Sequence, residues 1–488
     1  MEKKSLKKNF IYNFLYQLLA IAVPLITSPY LARILGAESI GVASWTNSVV
    51  FYFGMFVVLG VENYGNREIA YVRISKEERS RKFWSIYFCQ LINFCIVLFL
   101  YFFYISLFVE EYKLIFIILT MSLLTKGLDI AWFFSGMEEF KVTVIRNSLV
   151  KIITLILIFT LVHNANDLWK YVAINSAGGL IGQLTLWPNI MKYVDFYRPS
   201  RREILKNIKP LWILFIPVLA ISVFTYMDKY MIGRLSNVMQ NGYYENADKI
   251  ISVPKAFITT IGTVMLPRTA HLLSSNQIEE SKHFIELSME YTVIIGSAIA
   301  FGMAAVADSF SIIFWGQEFA PCGVLICGLS PAVLLSVIGS VIRSQFLIPN
   351  ARDKEYTFSL IAGACVNFCI NLFMIPQYGA LGAVVGTLCS EIVLLGVQLF
   401  CVRKELPLCQ YMKNGYSFIC IGMFMYVCLF FIKAQLKNTV FDLLLLVIIG
   451  GMIYCLLTWI YLSCTKNEIA KEIRNQILKT IRRGKKLG

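Results

Sequence analysis

Long apolar runs, broken by short polar stretches, follow one another along almost the whole chain. Each run is close to the length of about 20 residues that an α-helix needs to cross the hydrocarbon core of a membrane. Fourteen runs of this kind can be placed, and each is predicted to be a transmembrane helix. The predicted spans are 10–31, 40–61, 84–108, 114–135, 144–162, 168–190, 211–232, 250–266, 289–314, 324–347, 358–375, 382–402, 417–432 and 440–463.

The composition agrees with a chain that is mostly embedded in lipid. Of the 488 residues, 57% are hydrophobic and 15% are charged, whereas soluble domains average about 45–50% apolar and about 25% charged residues. These values exclude a water-soluble enzyme and a disordered chain. The 13 cysteines are scattered without a CxxC pair, and there are three histidines, so neither a metal site nor a disulfide framework is indicated.

The net charge of +15 is concentrated in the segments between the spans. With the N-terminus placed in the cytoplasm, the inner segments contain 34 Lys and Arg residues and the outer segments contain six. Cytoplasmic loops of membrane proteins carry such an excess of positive charge. We therefore interpret the charge as a topology signal rather than as a nucleic-acid-binding surface, and we expect both termini to be cytoplasmic.

Two stretches in the two halves of the chain resemble each other. The first, SPYLARILGAESIGVASW, begins at Ser28, and the second, DKYMIGRLSNVMQNGYYE, begins at Asp228; with one residue of offset, Gly41 aligns with Gly242. Each copy holds six spans. An even number gives both copies the same orientation, so a pseudo-twofold axis would run along the membrane normal. We expect the substrate path to lie between the two copies.

The predicted fold is an all-α integral membrane protein with about 14 transmembrane helices, arranged as two six-helix lobes and two additional C-terminal helices. The lobes comprise residues 1–190 and 211–403, and a basic cytoplasmic linker, 191–210, joins them. The additional helices lie within 415–464. In the basic cytoplasmic tail, 465–488, an isoleucine recurs every four residues from Ile469 to Ile481, which is typical of an amphipathic helix on anionic lipid.

Ionisable side chains inside a predicted span are costly and are typical of functional sites. Lys126 and Asp129 are three residues apart, so a helix would place them on one face, where they can pair. Asp228 and Lys229 are adjacent and point in different directions, so each needs another partner or water. The candidates within the spans are Lys126, Asp129, Lys151, Asp228, Lys229, Lys255, Asp308 and Glu391, with Arg33 and Arg234 near the outer ends of their spans.

Several motifs resemble those of a known family. These are ITSPYLARILGAESIG, GVENYGNREIA from Gly60, YMDKYMIGRLS, GYYENADKI and GTVMLPR from Gly262. They are similar to the Wzx-type polysaccharide flippases of the multidrug/oligosaccharidyl-lipid/polysaccharide exporter superfamily, and the similarity extends over essentially the whole chain. It implies alternating-access transport of undecaprenyl-diphosphate-linked oligosaccharide units from the inner to the outer leaflet of the bacterial plasma membrane, for capsule, O-antigen or exopolysaccharide synthesis.

The resemblance implies that cationic side chains engage the diphosphate, which Lys and Arg bind well. The positions that match its motifs are Arg33 in PYLARILG, Arg67 in YGNRE and Lys229 in DKYMIG, and Lys255 matches by its helix. Transport of this kind needs no cofactor or metal, but a proton or sodium ion is a candidate coupling ion. The predicted substrate-binding residues are Arg33, Arg67, Lys126, Lys229, Arg234 and Lys255, and the predicted coupling-ion residues are Asp228, Asp308 and Glu391.

The expected partners are the lipid-linked oligosaccharide, membrane lipids, and a polymerase and other polysaccharide-assembly proteins. A drug or cation antiporter of the same superfamily and a lipid II flippase are alternatives, and a scaffold subunit of a synthesis complex is a third. A membrane glycosyltransferase or polymerase usually needs a large outer loop. The longest outer loop predicted here covers only 233–249, so we expect that the protein is not an enzyme.

Overall fold

A computed structural model describes residues 6–413 and 415–465, with the side chains of all but 6–15, 140 and 259–264 within these ranges. The predicted tail, apart from its first residue, lies outside the described residues. All regular structure in the described part is helical. The helices are α1 (Leu6–Val58), α2 (Val61–Tyr71), α3 (Lys76–Phe108), α4 (Lys113–Gly127), α5 (Ala131–Gly136), α6 (Phe140–Leu161), α7 (Leu168–Leu184), α8 (Trp187–Ile190), α9 (Arg201–Ser222), α10 (Asp228–Leu235), α11 (Val238–Ser274), α12 (Ile278–Trp315), α13 (Pro321–Ile342), α14 (Asp353–Tyr378), α15 (Ala380–Val402), α16 (Leu408–Lys413), α17 (Gly415–Lys433) and α18 (Val440–Cys464).

Each of the fourteen predicted spans corresponds to a helical segment of the described chain. Helix α1 supplies the first two, because its backbone breaks at Gly36, and α9 continues into α10 through a π-helical turn, Val223–Met227. Eleven continuous stretches of the described residues, one containing both parts of α1, are long and apolar enough to cross a membrane. The prediction of an all-helical, multi-pass membrane protein is confirmed, whereas the symmetry between two lobes stays a prediction.

The helices carry large apolar side chains on their outer surfaces. Phe99, Phe373 and Phe441 are 71%, 71% and 73% exposed, and many leucines and isoleucines are similarly placed. A soluble protein rarely exposes apolar patches of this extent. Lipid is the solvent that these surfaces fit, and helices suit it because all their backbone hydrogen bonds are internal.

The described residues divide into two compact units. The first comprises Met1–Glu245 with Ile375–Ala380, and the second comprises Asn246–Met374 with Leu381–Gly488. The first unit has a buried core rich in aromatic rings, which includes Phe83 and Phe133. The core of the second unit is mainly aliphatic and includes Val293 and Ile342.

The break in α1 depends on one glycine. Gly36 has φ 74° and ψ 173°, a combination that only glycine adopts without strain because it has no Cβ atom. The parts of α1 before and after Gly36 are therefore two separate helices, although they follow each other directly in the chain.

In the first unit, the second part of α1 crosses the start of α11 at two glycines. A Cβ atom on Gly41 would lie 1.6 Å from the carbonyl oxygen of Val238, and one on Gly242 would lie 2.0 Å from the carbonyl oxygen of Ala37. The side-chain amide of Asn241 donates to the carbonyl oxygen of Gly41 at 3.1 Å. The two glycines that the predicted repeat aligns thus lie in backbone contact, and we call this contact the glycine crossing.

In the second unit, α17 and α18 pack on α12. The Tyr454 hydroxyl of α18 donates to the backbone carbonyl of Ile294 at 2.8 Å, and Gly422 of α17 lies directly on the ring of Phe301. The two C-terminal helices are therefore attached to α12 by close contacts and a hydrogen bond.

A buried polar seam joins α14 to α15 in the second unit. The amide nitrogen of Gln398 donates to the Ser359 hydroxyl at 3.4 Å, and the Asn371 amide donates to the Asn367 oxygen at 3.2 Å. The Asn371 oxygen lies over Gly386, where a Cβ atom would come within 2.1 Å of it. These five residues, which we call the α14–α15 seam, are all buried.

Candidate functional site

The first unit encloses an ion pair that we call the first cluster, consisting of Ser44, Lys229 and Glu245. The Lys229 ammonium lies 2.9 Å from Glu245 Oε2, and the Ser44 hydroxyl donates to the same oxygen at 2.9 Å. The side chains of Lys229 and Glu245 are only 12% and 15% exposed. Three helices, α1, α10 and α11, supply one residue each.

The neighbouring acid, Asp228, has a different partner. Its Oδ2 accepts a hydrogen bond from the Tyr244 hydroxyl at 2.5 Å. Successive residues of an α-helix point about 100° apart, so Asp228 and Lys229 meet different residues of α11, as predicted. The π turn Val223–Met227 directly precedes them, and such turns are frequent at functional sites.

The second unit holds a similar group, the second cluster, consisting of Lys255, Ser336 and Glu391. The Lys255 ammonium lies 3.0 Å from Glu391 Oε1, and the two side chains are 24% and 12% exposed. The Ser336 hydroxyl donates to the same carboxylate oxygen at 2.5 Å. These residues come from α11, α13 and α15, and Glu391 lies near the middle of α15.

Both clusters pair a partly buried ammonium with a partly buried carboxylate. Burying two charges is expensive, and ionisable groups within membrane-spanning helices are typical of transport pathways and proton relays. An ammonium can exchange its carboxylate for a phosphate oxygen, and a carboxylate can take up a proton. No group of three His, Cys, Asp or Glu side chains that could hold a metal ion occurs in the described part of the chain.

The remaining predicted cations lie on exposed surfaces of their helices. Arg33 is on the first part of α1, Arg67 on α2, Lys126 in the last turn of α4 and Arg234 on α10. Arg67 lies 3.6 Å from Glu68 and above the ring of Tyr64. The structure therefore places Lys229 and Lys255 in enclosed clusters and the other four cations outside them.

The predicted pair between Lys126 and Asp129 is wrong. Helix α4 ends at Gly127, so the two residues do not share a helix face. Asp129 instead accepts a hydrogen bond from the backbone N–H of Ala131 at 2.9 Å, at the start of α5. The stem of Lys126 passes over Gly54 of α1, and no ion pair with Asp129 is formed within the described residues.

Asp308 differs from the other two coupling-ion candidates. Its side chain is 55% exposed and lies 2.6 Å from the Lys433 ammonium at the end of α17. This pair joins α12 to α17 near a helix end, so Asp308 is a peripheral carboxylate, whereas Asp228 and Glu391 are enclosed.

Three residues of the two clusters are not indicated by the hydropathy and charge patterns: Glu245, Ser44 and Ser336. The hydropathy pattern predicts an outer loop at 233–249, which contains Glu245, but α11 begins at Val238, so most of that stretch is helix. The spacing of Asn241, Glu245 and Lys249 by four residues is the available signal for a helix with one polar face.

Three comparisons with known proteins are informative. The family model described as "Polysaccharide biosynthesis protein" matches residues 6–273. A Shigella dysenteriae protein provisionally named an O-antigen transporter is 25% identical over 82% of this chain and 100% of its own length. An Escherichia coli K12 protein with the same provisional name is 23% identical over 83% of this chain and 98% of its own length.

A solved structure has the same fold. The structure of the lipid II flippase MurJ in an inward closed conformation superimposes with a TM-score of 0.75, over 94% of this chain and 99% of that chain. The sequence identity is 15%, so this likeness concerns the fold alone.

Proposed function

This chain belongs to the polysaccharide biosynthesis protein family, and on that premise we propose that it is a flippase for lipid-linked oligosaccharides. It moves undecaprenyl-diphosphate-linked repeat units from the inner to the outer leaflet of the bacterial plasma membrane by alternating access. The observation that carries this proposal is the similarity to two proteins provisionally named O-antigen transporters, each matched over almost all of its length.

The chemistry of such a substrate explains why a protein is needed. A sugar head group has many hydroxyls, and moving them into hydrocarbon without hydrogen-bond partners is expensive. The polyprenyl tail is apolar and remains in the hydrocarbon of the membrane. A protein that shelters the head group and its diphosphate therefore lowers the barrier without any covalent step, and the membrane potential favours outward movement of an anion by about 2.3 kcal/mol per charge at 100 mV.

We assign the two enclosed lysines, Lys229 and Lys255, to the diphosphate. Each ammonium is already held against a carboxylate, in surroundings where a phosphate oxygen is an equivalent partner. The exposed cations are assigned to the approach of the substrate along the helices: Arg33, Arg67, Lys126 and Arg234.

The excess of Lys and Arg in alternate segments favours an orientation with both termini in the cytoplasm. In that orientation the linker at 191–210 is cytoplasmic, where the lipid-linked unit is assembled. We also propose that the chain cooperates with a polymerase and other proteins of polysaccharide assembly, which receive the unit after transport.

The decisive experiment is transport by purified full-length protein in liposomes. A fluorescent undecaprenyl-diphosphate oligosaccharide should move between leaflets, which a membrane-impermeant quencher added outside detects. We expect at least a tenfold loss of rate in Lys229→Met and in Lys255→Met, because each removes a phosphate partner. Glu279→Gln, which alters an exposed ion pair with Lys282, is the control and should transport normally.

Two parallel measurements test a drug or cation antiporter and a glycosyltransferase. Transport of a cationic dye without transport of the glycolipid identifies a drug or cation antiporter. Incorporation of sugar from a nucleotide sugar into lipid identifies a glycosyltransferase. Either result overturns the proposed function.

A further inference from the structure

An apolar groove lies on the surface of the first unit, between the second part of α1, α3 and α9. Its volume is about 190 Å³. The wall formed by α3 includes Ile92 and Ile96, and the wall formed by α9 includes Leu205, Ile208 and Trp212. All five side chains are exposed, so the groove opens to the outside of the unit.

The α3 wall of this groove belongs to a lipid-facing surface. The exposed side chains Ile92, Ile96, Phe99 and Phe103 follow each other at spacings of four, three and four residues, which places them on one face of the helix. This face runs along a helix that is long and apolar enough to cross a membrane. The acyl chain of a membrane lipid is therefore an apolar ligand that can reach the groove.

The two amide side chains of the lining are engaged by the backbone. The Asn93 amide donates to the carbonyl oxygen of Val57 at 3.1 Å, and the Gln90 amide donates to the carbonyl oxygen of Lys126 at 2.9 Å. Neither amide nitrogen needs a hydrogen bond from a ligand. The groove therefore suits a hydrocarbon chain.

Two basic residues flank the α9 wall of the groove. Arg201 and Lys209 lie four residues before and four residues after Leu205, so the three side chains are neighbours along one side of α9. Both cations are exposed. Glu203, the acid in the first turn of α9, is paired with Arg81 of α3. The long side chains of Arg201 and Lys209 can therefore converge on one anionic group beside Leu205.

We propose that this groove binds a phospholipid with a net negative charge, with one acyl chain between α3 and α9 and the phosphate at Arg201 and Lys209. Arginine and lysine form charge-assisted hydrogen bonds with phosphate oxygens. Basic residues beside a membrane-spanning helix attract the anionic lipids of the cytoplasmic leaflet, and the orientation proposed above places the start of α9 at that leaflet. This inference goes beyond the proposed function, because it requires no transport.

The groove is separate from the position assigned to the substrate diphosphate in the first unit. Lys229 follows Leu205 by 24 residues, through α9, the π turn and α10. At about 1.5 Å per residue, this separation is about 36 Å along the helix axis. One diphosphate cannot contact both positions, so a phospholipid bound in the groove leaves Lys229 available to the substrate.

The test measures lipid binding to the purified full-length protein by native mass spectrometry, after titration in detergent. The probes are phosphatidylglycerol and phosphatidylcholine with the same acyl chains. We expect saturable binding that prefers phosphatidylglycerol. Arg201→Gln and Lys209→Gln should each lower the affinity for phosphatidylglycerol about fivefold, which is the effect of one basic residue near an anionic membrane surface.

Matched variants separate the groove from its surroundings. Lys206 is five residues from Arg201 and points about 140° away around α9, so Lys206→Gln should bind phosphatidylglycerol as tightly as wild type. Ile208→Trp fills the groove and should weaken binding, whereas Ile213→Trp, at an exposed position outside the lining, should not. Ile96→Trp, on the opposite wall, serves if Ile208→Trp does not fold.

Three outcomes would overturn the proposal. Equal losses in Arg201→Gln and Lys206→Gln would mean that α9 attracts anionic lipid without a defined site. Equal affinities for the two lipids would remove the phosphate from Arg201 and Lys209. If undecaprenyl diphosphate displaces phosphatidylglycerol, and loses affinity in Arg201→Gln and Ile208→Trp, the groove takes the substrate lipid instead. Transport in liposomes is measured separately, so the proposed function is tested independently of these results.

Discussion

The two clusters have the same chemistry but are built differently. In each, an ammonium lies 2.9 or 3.0 Å from a carboxylate oxygen that also accepts a hydrogen bond from a serine hydroxyl. In the first cluster the lysine and the glutamate lie on consecutive helices and are separated by 16 positions in the chain. In the second, the lysine and the glutamate are separated by 136 positions, and the pair depends entirely on how the helices of the second unit pack.

The chemistry of a partly buried ion pair is therefore not enough to assign a role to its residues; the surrounding contacts must be considered as well. The first cluster adjoins a second polar contact, from Tyr244 to Asp228, and the glycine crossing. The pair there is one part of a larger set of contacts between α1, α10 and α11. The lysine of the second pair is more accessible, with 24% of its side chain exposed against 12% in the first pair, so another charged group can reach it more easily.

The largest effect is expected at the glycine crossing. In Gly242→Leu, the new Cβ atom would lie 2.0 Å from the Ala37 carbonyl oxygen, so α1 and α11 must separate and the first cluster must come apart. We expect no folded protein, measured as the yield of monodisperse material after detergent extraction. Gly451→Leu is the matched control, because nothing lies within 4 Å of its Cβ position; normal yield from Gly242→Leu would mean that the crossing is not needed.

Removing one charge from each cluster comes next. Breaking a buried pair by deleting one partner costs about 3–5 kcal/mol in proteins. We expect Lys229→Met to approach this value and Lys255→Met to lose clearly less, because the second lysine is more exposed. Thermal unfolding in detergent measures both, and a larger loss in Lys255→Met would reverse the comparison between the clusters.

The break in α1 should have an intermediate effect. Alanine at Gly36 must adopt φ 74° and ψ 173°, a region that costs non-glycine residues about 1–3 kcal/mol. We expect Gly36→Ala to lower the unfolding temperature without abolishing folding. An unchanged melting temperature would show that α1 can straighten at no cost.

The smallest effect is expected at the pair between Lys433 and Asp308. This pair is partly open to solvent, with Asp308 55% exposed, and exposed ion pairs contribute about 0–1 kcal/mol. Lys433→Met should therefore melt close to wild type. If it instead destabilises the protein as strongly as Lys229→Met, burial is not what distinguishes the enclosed clusters.

The sequence alone predicts the helices well and the pairings poorly. Apolar runs mark each span, because lipid demands a continuous apolar surface about 20 residues long. The partners of Lys229 and Lys255 depend on which helices pack together and at what rotation, and no local pattern specifies that. The helical position of Glu245 was also not predicted, because hydropathy alone does not distinguish polar residues in the first turns of a helix from a loop.

The spacing of charged residues within a predicted span does not establish that they form an ion pair. Lys126 and Asp129 are correctly spaced for a helical pair, but α4 stops at Gly127, between them. Gly127 lies against the ring of Phe94 in α3, and the Gln90 amide donates to the backbone carbonyl of Lys126 at 2.9 Å. These tertiary contacts end the helix, and they involve residues more than 30 positions away.

The α14–α15 seam has a consequence for any large motion of this protein. Apolar helix faces can slide along each other in small steps with little change in free energy. Amide and hydroxyl groups on two helices, in contrast, can form their hydrogen bonds in only one register. Sliding α15 along α14 by a single residue would break the hydrogen bond between Gln398 and Ser359. It would also move Gly386 away from the Asn371 side chain. Buried polar atoms would then lack hydrogen-bond partners, which is energetically costly. We therefore expect α14 and α15 to move together as a rigid body. The conformational change that transport requires must then take place at other helix–helix contacts.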